Sequence, residues 1–206
     1  MLTEQLLTQY GATKIKLRKG QFLFYEGEKA LNYFQVIQGA IKMITRSSSG
    51  KELIQGLFRA GESFGEPPLL NAFPYPSSAI AMETSAVLRL PKEHFMELLR
   101  NNFNAHLEFD KVLCERLRYK TMLLTSISFL EPEEVIWNVI LNYSQRKPLP
   151  RTEDGLHYLI PLTRQEIADM TGLRVETVIR TVKRMAEEGR LRLINNKIAV
   201  SAPVMT

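Results

Sequence analysis

The stretch Pro161–Arg190, PLTRQEIADMTGLRVETVIRTVKRMAEEGR, decides how this chain is read. Thr163 and Glu166 form a capping box, in which the hydroxyl and the carboxylate each accept a backbone N–H at the start of a helix. Ile167 and Met170 mark the inner face of that helix. Thr171-Gly172-Leu173 ends it, because Gly172 can take the positive φ of a tight turn. A second helix starts at once. Val175, Val178, Ile179, Val182 and Met185 recur at three- and four-residue spacing as its apolar side, which leaves Arg174, Glu176, Thr177, Arg180, Lys183 and Arg184 facing outward. A plain helical hairpin explains the apolar positions but not the hydrogen-bonding residues gathered on the outer side where the second helix begins. Two helices joined by a short Gly-containing turn, the second displaying Arg, Glu and Thr, describe a helix-turn-helix with its recognition helix.

The stretch TRQEIADMTGLRVETVIRTVKRM resembles the helix-turn-helix of the CRP/FNR superfamily of bacterial transcription regulators. That resemblance implies double-stranded DNA as partner, with Thr163, Arg164 and Gln165 touching phosphates. Glu176 would accept from a cytosine amino group and Arg180 donate to guanine O6 and N7, while Lys183 and Lys197 would contact phosphates. Val175-Glu176-Thr177 is nearer the FNR-type reader than the CRP-type Arg-Glu-Thr. Ile179 stands where such readers carry a small polar residue, and Arg174 adds a side chain able to reach a base. The family also implies a homodimer and contact with RNA polymerase. Redox sensing of the FNR type is not expected, for want of amino-terminal cysteines.

The chain has room for two modest domains in its 206 residues. Its net charge of +5 is unevenly spread: from Gln145 onward, eleven basic residues (Arg146 and Lys147 among them) face seven acidic ones (Asp154 among them), leaving +4 in the helix-turn-helix third. A lone Cys114 forms no internal disulfide and cannot by itself hold a cluster or a four-ligand zinc site. His94, His106 and His157 are scattered and read as surface or half-buried structural residues. No metal, cofactor or catalytic residue is expected, since neither a phosphate-cradling Gly loop nor a nucleophile elbow is present. Without a hydrophobic run of signal or membrane-spanning length, the expected place is the cytoplasm.

The expected fold is α+β: a jelly-roll-like β-roll over residues 1–104, a dimerisation helix and hinge over 105–131, and a winged helix-turn-helix over 132–206. Met1–Gly11 reads as a short amphipathic helix. Short apolar runs (Ile15–Leu17, Phe22–Tyr25, Tyr33–Ile37, Ile41–Ile44, Leu53–Phe58, Ala79–Met82, Ala86–Leu90) punctuated by Gly are the pattern of antiparallel strands. GEKALNYFQVIQGAIKM, with the later AGESFGE, resembles the cyclic-nucleotide-binding β-roll of the same superfamily. Its cyclic-AMP-binding members open a cassette with Gly-Glu, for the ribose, and close it with Arg-Ser or Arg-Thr, for the cyclic phosphate. Here the cassette is GEPPLLNAFPYPSSA: Gly65 and Glu66 are present, but the Arg position holds Pro76 or Ser77, and no Lys or Arg occurs from Ala60 to Leu88. A buried phosphate without a cation keeps most of its desolvation cost, so ordinary cyclic-AMP binding is not expected.

The candidate effector pocket comprises Gly65, Glu66, Tyr75, Ser77, Ser78, Lys120 and Thr121, with the effector unknown. Lys120 reads first as a solvated helix lysine and otherwise as a partner for an anionic ligand. Leu69, Leu70, Phe73 and Tyr75 either line an apolar pocket or plug it. Pro91–Asn101 is read as a helix, and Ala105–Leu130 as a longer one whose Leu113, Leu117, Leu124 and Ile127 make an approximate pairing seam, broken by Asp110, Lys120 and Thr121. Packing within its own chain is the alternative to a dimer. Glu131-Pro132 breaks this helix where a hinge would lie, Trp137 is read as core, and Lys147–Asp154 as a Pro-rich loop. A strand before Thr163 and a hairpin turned at Asn195-Asn196 complete a winged helix. Two other readings stay open: a cyclic-nucleotide-responsive regulator drawing its phosphate partner from elsewhere, and a haem or small-ligand sensor acting on a partner protein.

Overall fold

The computed structural model describes residues 2–146, 149–153 and 155–201, so the expected Lys147–Asp154 loop lies partly outside the described residues. The chain divides into two compact units, Met1–Glu115 and Arg116–Thr206. The first opens with α1 (Glu4–Gln9), capped by the Thr3 hydroxyl, which accepts the Leu6 N–H. Eight strands follow: β1 (Thr13–Leu17), β2 (Phe22–Phe24), β3 (Asn32–Gln38), β4 (Ala40–Arg46), β5 (Glu52–Arg59), β6 (Ser63–Phe64), β7 (Ser78–Ala81) and β8 (Ser85–Pro91). They form two antiparallel four-stranded sheets, in the orders β1-β8-β3-β6 and β2-β7-β4-β5. Each apolar run read from the sequence contributes to one of these strands. Strand β6 and a short helix, α2 (Glu66–Asn71), were not expected. The strand lies just before the cassette and the helix inside it, where Pro67 and Pro68 look like breakers but are tolerated in a first helical turn.

Strand β3 is buried continuously from Tyr33 to Val36, without alternation, because both of its faces are covered. Phe34 and Val36 enter the core shared by the two sheets. On the other face, the Tyr33 ring stacks on Phe95 at 4.4 Å, and buried Gln35 accepts the Tyr33 hydroxyl while donating to the Leu2 carbonyl. Phe95 belongs to α3 (Lys92–Asn101). The long α4 (Phe103–Phe129) adds Phe109, whose ring meets Phe95 edge-on.

In the second unit, α5 (Pro132–Arg146) begins at the proline that ended the preceding helix. Strand β9 (His157–Ile160), α6 (Arg164–Thr171), α7 (Val175–Glu187), β10 (Arg192–Ile194) and β11 (Lys197–Ser201) follow. The three strands pair antiparallel in the order β10-β11-β9. Asn195 and Asn196 turn the β10–β11 hairpin at φ 49° and 61°, as a two-residue turn of the twist-matching kind requires. Buried Ile136, Val139 and Ile140 of α5 join Ile167 of α6, Val178, Val182 and Met185 of α7 and Ile198 of β11 in the interior. His157 is buried as well, whereas His94 and His106 are exposed.

Candidate nucleic-acid interface

The site is built on the capped start of α6. The Thr163 hydroxyl accepts the Glu166 N–H at 3.1 Å and the Glu166 carboxylate accepts the Thr163 N–H at 2.7 Å, closing the capping box read from the sequence. Thr163 and Gln165 are exposed, and the Gln165 amide donates to Asp169 at 2.8 Å. Arg164 is half-buried, and that burial holds its guanidinium below its ordinary value. Gly172 ends α6 at φ +75°.

Helix α7 buries Val178, Thr181, Val182 and Met185. At about 100° per residue, the positions opposite this stripe are Glu176, Arg180 and Lys183, and all three are exposed. Arg174, the residue preceding the helix, is exposed too, while Val175 and Thr177 are half-buried on the flanks. One sequence assignment is corrected here. Ile179 does not belong to the buried side: it lies about 100° on from Val178 and is 52 % exposed. Lys197 is exposed at the start of β11. A groove of about 740 Å³ runs between α7 and the wing, lined among others by Thr163, Arg164, Ile179, Lys183, Leu193 and Lys197. It brings together residues from α6, α7 and the hairpin that sequence spacing alone leaves apart.

The structure also shows a cluster that the sequence did not. Glu133 accepts from Arg184 at 2.7 Å and from Arg190 at 2.9 Å, and Arg190 reaches Glu134 through both terminal nitrogens, at 2.6 and 3.1 Å. The Arg190 guanidinium lies 4.6 Å from the Trp137 ring centroid, so Trp137 is a half-buried platform rather than a core residue. Hydrogen bonds from Arg190, then Arg184, hold Glu133 below its ordinary value of 4.5, and Arg190 does the same for Glu134. Within α5 itself, Glu133 and Glu134 are simply acidic residues in a first helical turn, where they suit the helix dipole. Their partners lie more than fifty residues away, beyond the reach of any local pattern.

The depressed carboxylates set a pH dependence. Their contribution is present above the unfolded value near 4.5 and is lost as pH falls through the lower folded values. Emission from Trp137, the chain's single tryptophan, is expected to change in that acid range. Combining Glu133→Gln with Glu134→Gln should remove the transition, and an unaltered acid profile would count against the cluster as its source.

The candidate effector residues are placed differently. Gly65, Glu66, Tyr75 and Ser77 are buried, and Ser78 is half-buried, its hydroxyl accepting the Glu26 N–H. The Tyr75 ring stacks on Phe24 with centroids 3.7 Å apart, and Phe24, Phe34, Phe58 and Phe64 continue the aromatic fill. A Cβ on Gly65 would come within 3.3 Å of the Tyr75 ring, so the stack lies directly against the Gly65-Glu66 step. Backbone bonds clamp Tyr75: its N–H donates to the Glu28 carbonyl and its carbonyl accepts the Gly27 N–H, both at 2.9 Å. Burial, then the charges of Glu28 and Glu66, push its hydroxyl above the usual phenol range. Leu69 is buried with Tyr75, whereas Leu70 and Phe73 are partly exposed. Lys120 and Thr121 are exposed on α4, in the second unit.

On α4, Leu117, Leu124 and Ile127 are 69 %, 68 % and 46 % exposed. Leu113 is half-buried against the core of the first unit, so the four residues do not form one uniformly free seam. Among the described residues no group of His, Cys, Asp and Glu could hold a metal ion, and no helix is long and apolar enough to cross a membrane.

A cyclic nucleotide-binding domain model matches residues 14–102, and a Crp-like helix-turn-helix domain model matches residues 136–203. The cyclic AMP receptor protein of Thermus thermophilus is 29% identical over 85% of this chain and 77% of that protein. The transcriptional activator protein anr of Pseudomonas aeruginosa is 29% identical over 84% of this chain and 70% of its own. Among solved structures, a CooA mutant from Carboxydothermus hydrogenoformans shares the fold at a TM-score of 0.80, with 17% identity over 98% of this chain and 88% of that one. FixK2 from Bradyrhizobium japonicum shares it at 0.77, with 21% identity over 92% of each chain.

Proposed function

We propose, because the chain belongs to the CRP/FNR superfamily of DNA-binding transcription regulators, that it acts as a homodimer on a palindromic operator without taking cyclic AMP in the usual way. Residues 1–104 are the sensing part, 105–131 the pairing helix and 132–206 the DNA reader. One observation supports the reading function above the others: α7 exposes Glu176, Arg180 and Lys183 on the side opposite its buried stripe, and Lys183 shares a groove with the capped start of α6 and the wing lysine Lys197. Thr163, Arg164, Gln165, Lys183 and Lys197 hold phosphates, Glu176 and Arg180 read base edges, and Arg174, Val175 and Thr177 flank them. Two half-sites about one helical turn apart require two such helices, hence the dimer. A role in regulation rather than catalysis, a cytoplasmic location and contact with RNA polymerase complete the proposal.

The view of the sensor rests on the aromatic fill against Gly65-Glu66 and on the negative charge that Glu28 and Glu66 bring to the surroundings of Tyr75. A cyclic phosphate entering there would displace a packed stack and meet negative charge. The test is enrichment of genomic fragments by the purified protein at near-physiological salt, with and without cyclic AMP. A palindrome enriched equally in both supports the proposal; a site seen only with cyclic AMP overturns the sensor reading. No enrichment at all would favour a sensor that acts on a partner protein.

Base readers and phosphate holders differ in their expected losses. Glu176→Ala or Arg180→Ala should cost about 1 to 3 kcal/mol in operator binding and relax preference at one position of each half-site. Lys183→Ala should weaken all sequences alike and reduce the salt slope by about 1. Titrations of matched and scrambled duplexes at several salt concentrations check both, and an altered sequence preference in Lys183→Ala would contradict its role.

A further inference from the structure

The outward side of α7 is not wholly polar. Ile179 is 52 % exposed, one turn after Glu176, one turn before Lys183 and next to Arg180. The interior is complete without it, since Val178, Val182 and Met185 are almost fully buried. Its β-branched side chain is held largely in one rotamer on a helix, so its methyl surface is presented already ordered. It lines the groove toward the wing with Leu193 (40 % exposed), among the cations Arg164, Lys183 and Lys197. Those charges suit a polyanion and do not suit an apolar protein partner.

An apolar side chain on a helix lying in the major groove meets one apolar feature among the base edges, the C5-methyl group of thymine. We propose that Ile179 is a specificity residue that packs on a thymine C5-methyl next to the base pairs read by Glu176 and Arg180. The inference rests on the DNA-reading assignment and deepens it. It makes the protein sensitive to a single methyl group at one position of each half-site. Because 5-methylcytosine carries the same methyl at the same place, the contact favours it over cytosine there as well.

The test uses the full-length protein and the duplex it enriches from random sequence, resynthesised with each thymine in turn replaced by deoxyuridine. One position per half-site is expected to lose about fourfold in affinity, the factor for burying one methyl-sized group. Ile179→Ser should bind thymine and uracil duplexes equally at that position, while Ile179→Val keeps most of the difference. At the same position, 5-methylcytosine should exceed cytosine by a similar factor with the unaltered protein only. No thymine whose replacement separates the unaltered protein from Ile179→Ser would overturn the inference, as would a loss in Ile179→Ser that is equal on every duplex, which marks packing on deoxyribose. If no sequence is enriched, the DNA-reading assignment fails, and this inference with it.

Discussion

Leu117→Ala combined with Leu124→Ala is expected to yield a folded monomer that binds its operator at least about a hundredfold more weakly, because the second half-site is no longer tethered to the first. Six of the fifteen exposed large hydrophobic side chains among the described residues lie on α4: Phe103, Leu107, Leu117, Leu124, Ile127 and Phe129. So much apolar surface on one helix is what a partner helix would cover. Leu117 and Leu124 stand seven residues apart and are more than two-thirds exposed, so truncating them removes little from the protomer itself. Leu113 is left intact because it packs on the core of its own unit. Sedimentation across a concentration series reads the mass, and binding to full and half operators reads the consequence. An unchanged dimer would remove α4 as the pairing element.

Tyr75→Ala is expected to destabilise the β domain by about 3 to 5 kcal/mol, the range for removing a buried aromatic ring. The ring is 4 % exposed and stacked on Phe24 at 3.7 Å, so its loss opens a cavity beside Gly65 that the two sheets cannot close without moving. Tyr75→Phe keeps the stack and should cost far less. Urea unfolding, with amide exchange of β2 and β7 as the local probe, distinguishes the two variants. Millimolar cyclic AMP should stabilise neither the unaltered protein nor Tyr75→Ala: emptying the space supplies no cation for a phosphate. Stabilisation of Tyr75→Ala by the nucleotide would show that the ring alone keeps the ligand out.

Much of the fold was legible because its signals are local. The capping box at Thr163 and Glu166, the Gly172 turn, the Asn195-Asn196 hairpin and Pro132 at a helix start each act within a few residues, through backbone groups that must be satisfied nearby. The strand runs of the β domain were equally visible. The two-residue β6 and the six-residue α2 were not, being too short for any period to show. Ile179 was assigned to the apolar side because it follows the three- and four-residue spacing. At the edge of an amphipathic stripe that spacing does not separate buried from exposed, because only the neighbouring segments settle what is covered.

By itself, then, the sequence determined most of the helices, strands and turns, and that Glu176, Arg180 and Lys183 lie on the exposed side of α7, since these follow from dihedral limits, capping and hydrophobic period. Only the tertiary structure decided what the long-range partners do. It joined Glu133 and Glu134 to Arg184 and Arg190, laid Arg190 over Trp137, divided Leu113 from Leu117 and Leu124, and filled the space before Gly65 with Tyr75 and Phe24. Each of these outcomes depends on side chains that meet only when the packed core brings distant segments together. Their free energies are set by burial and charge at the point of meeting, quantities that a run of neighbouring residues does not contain.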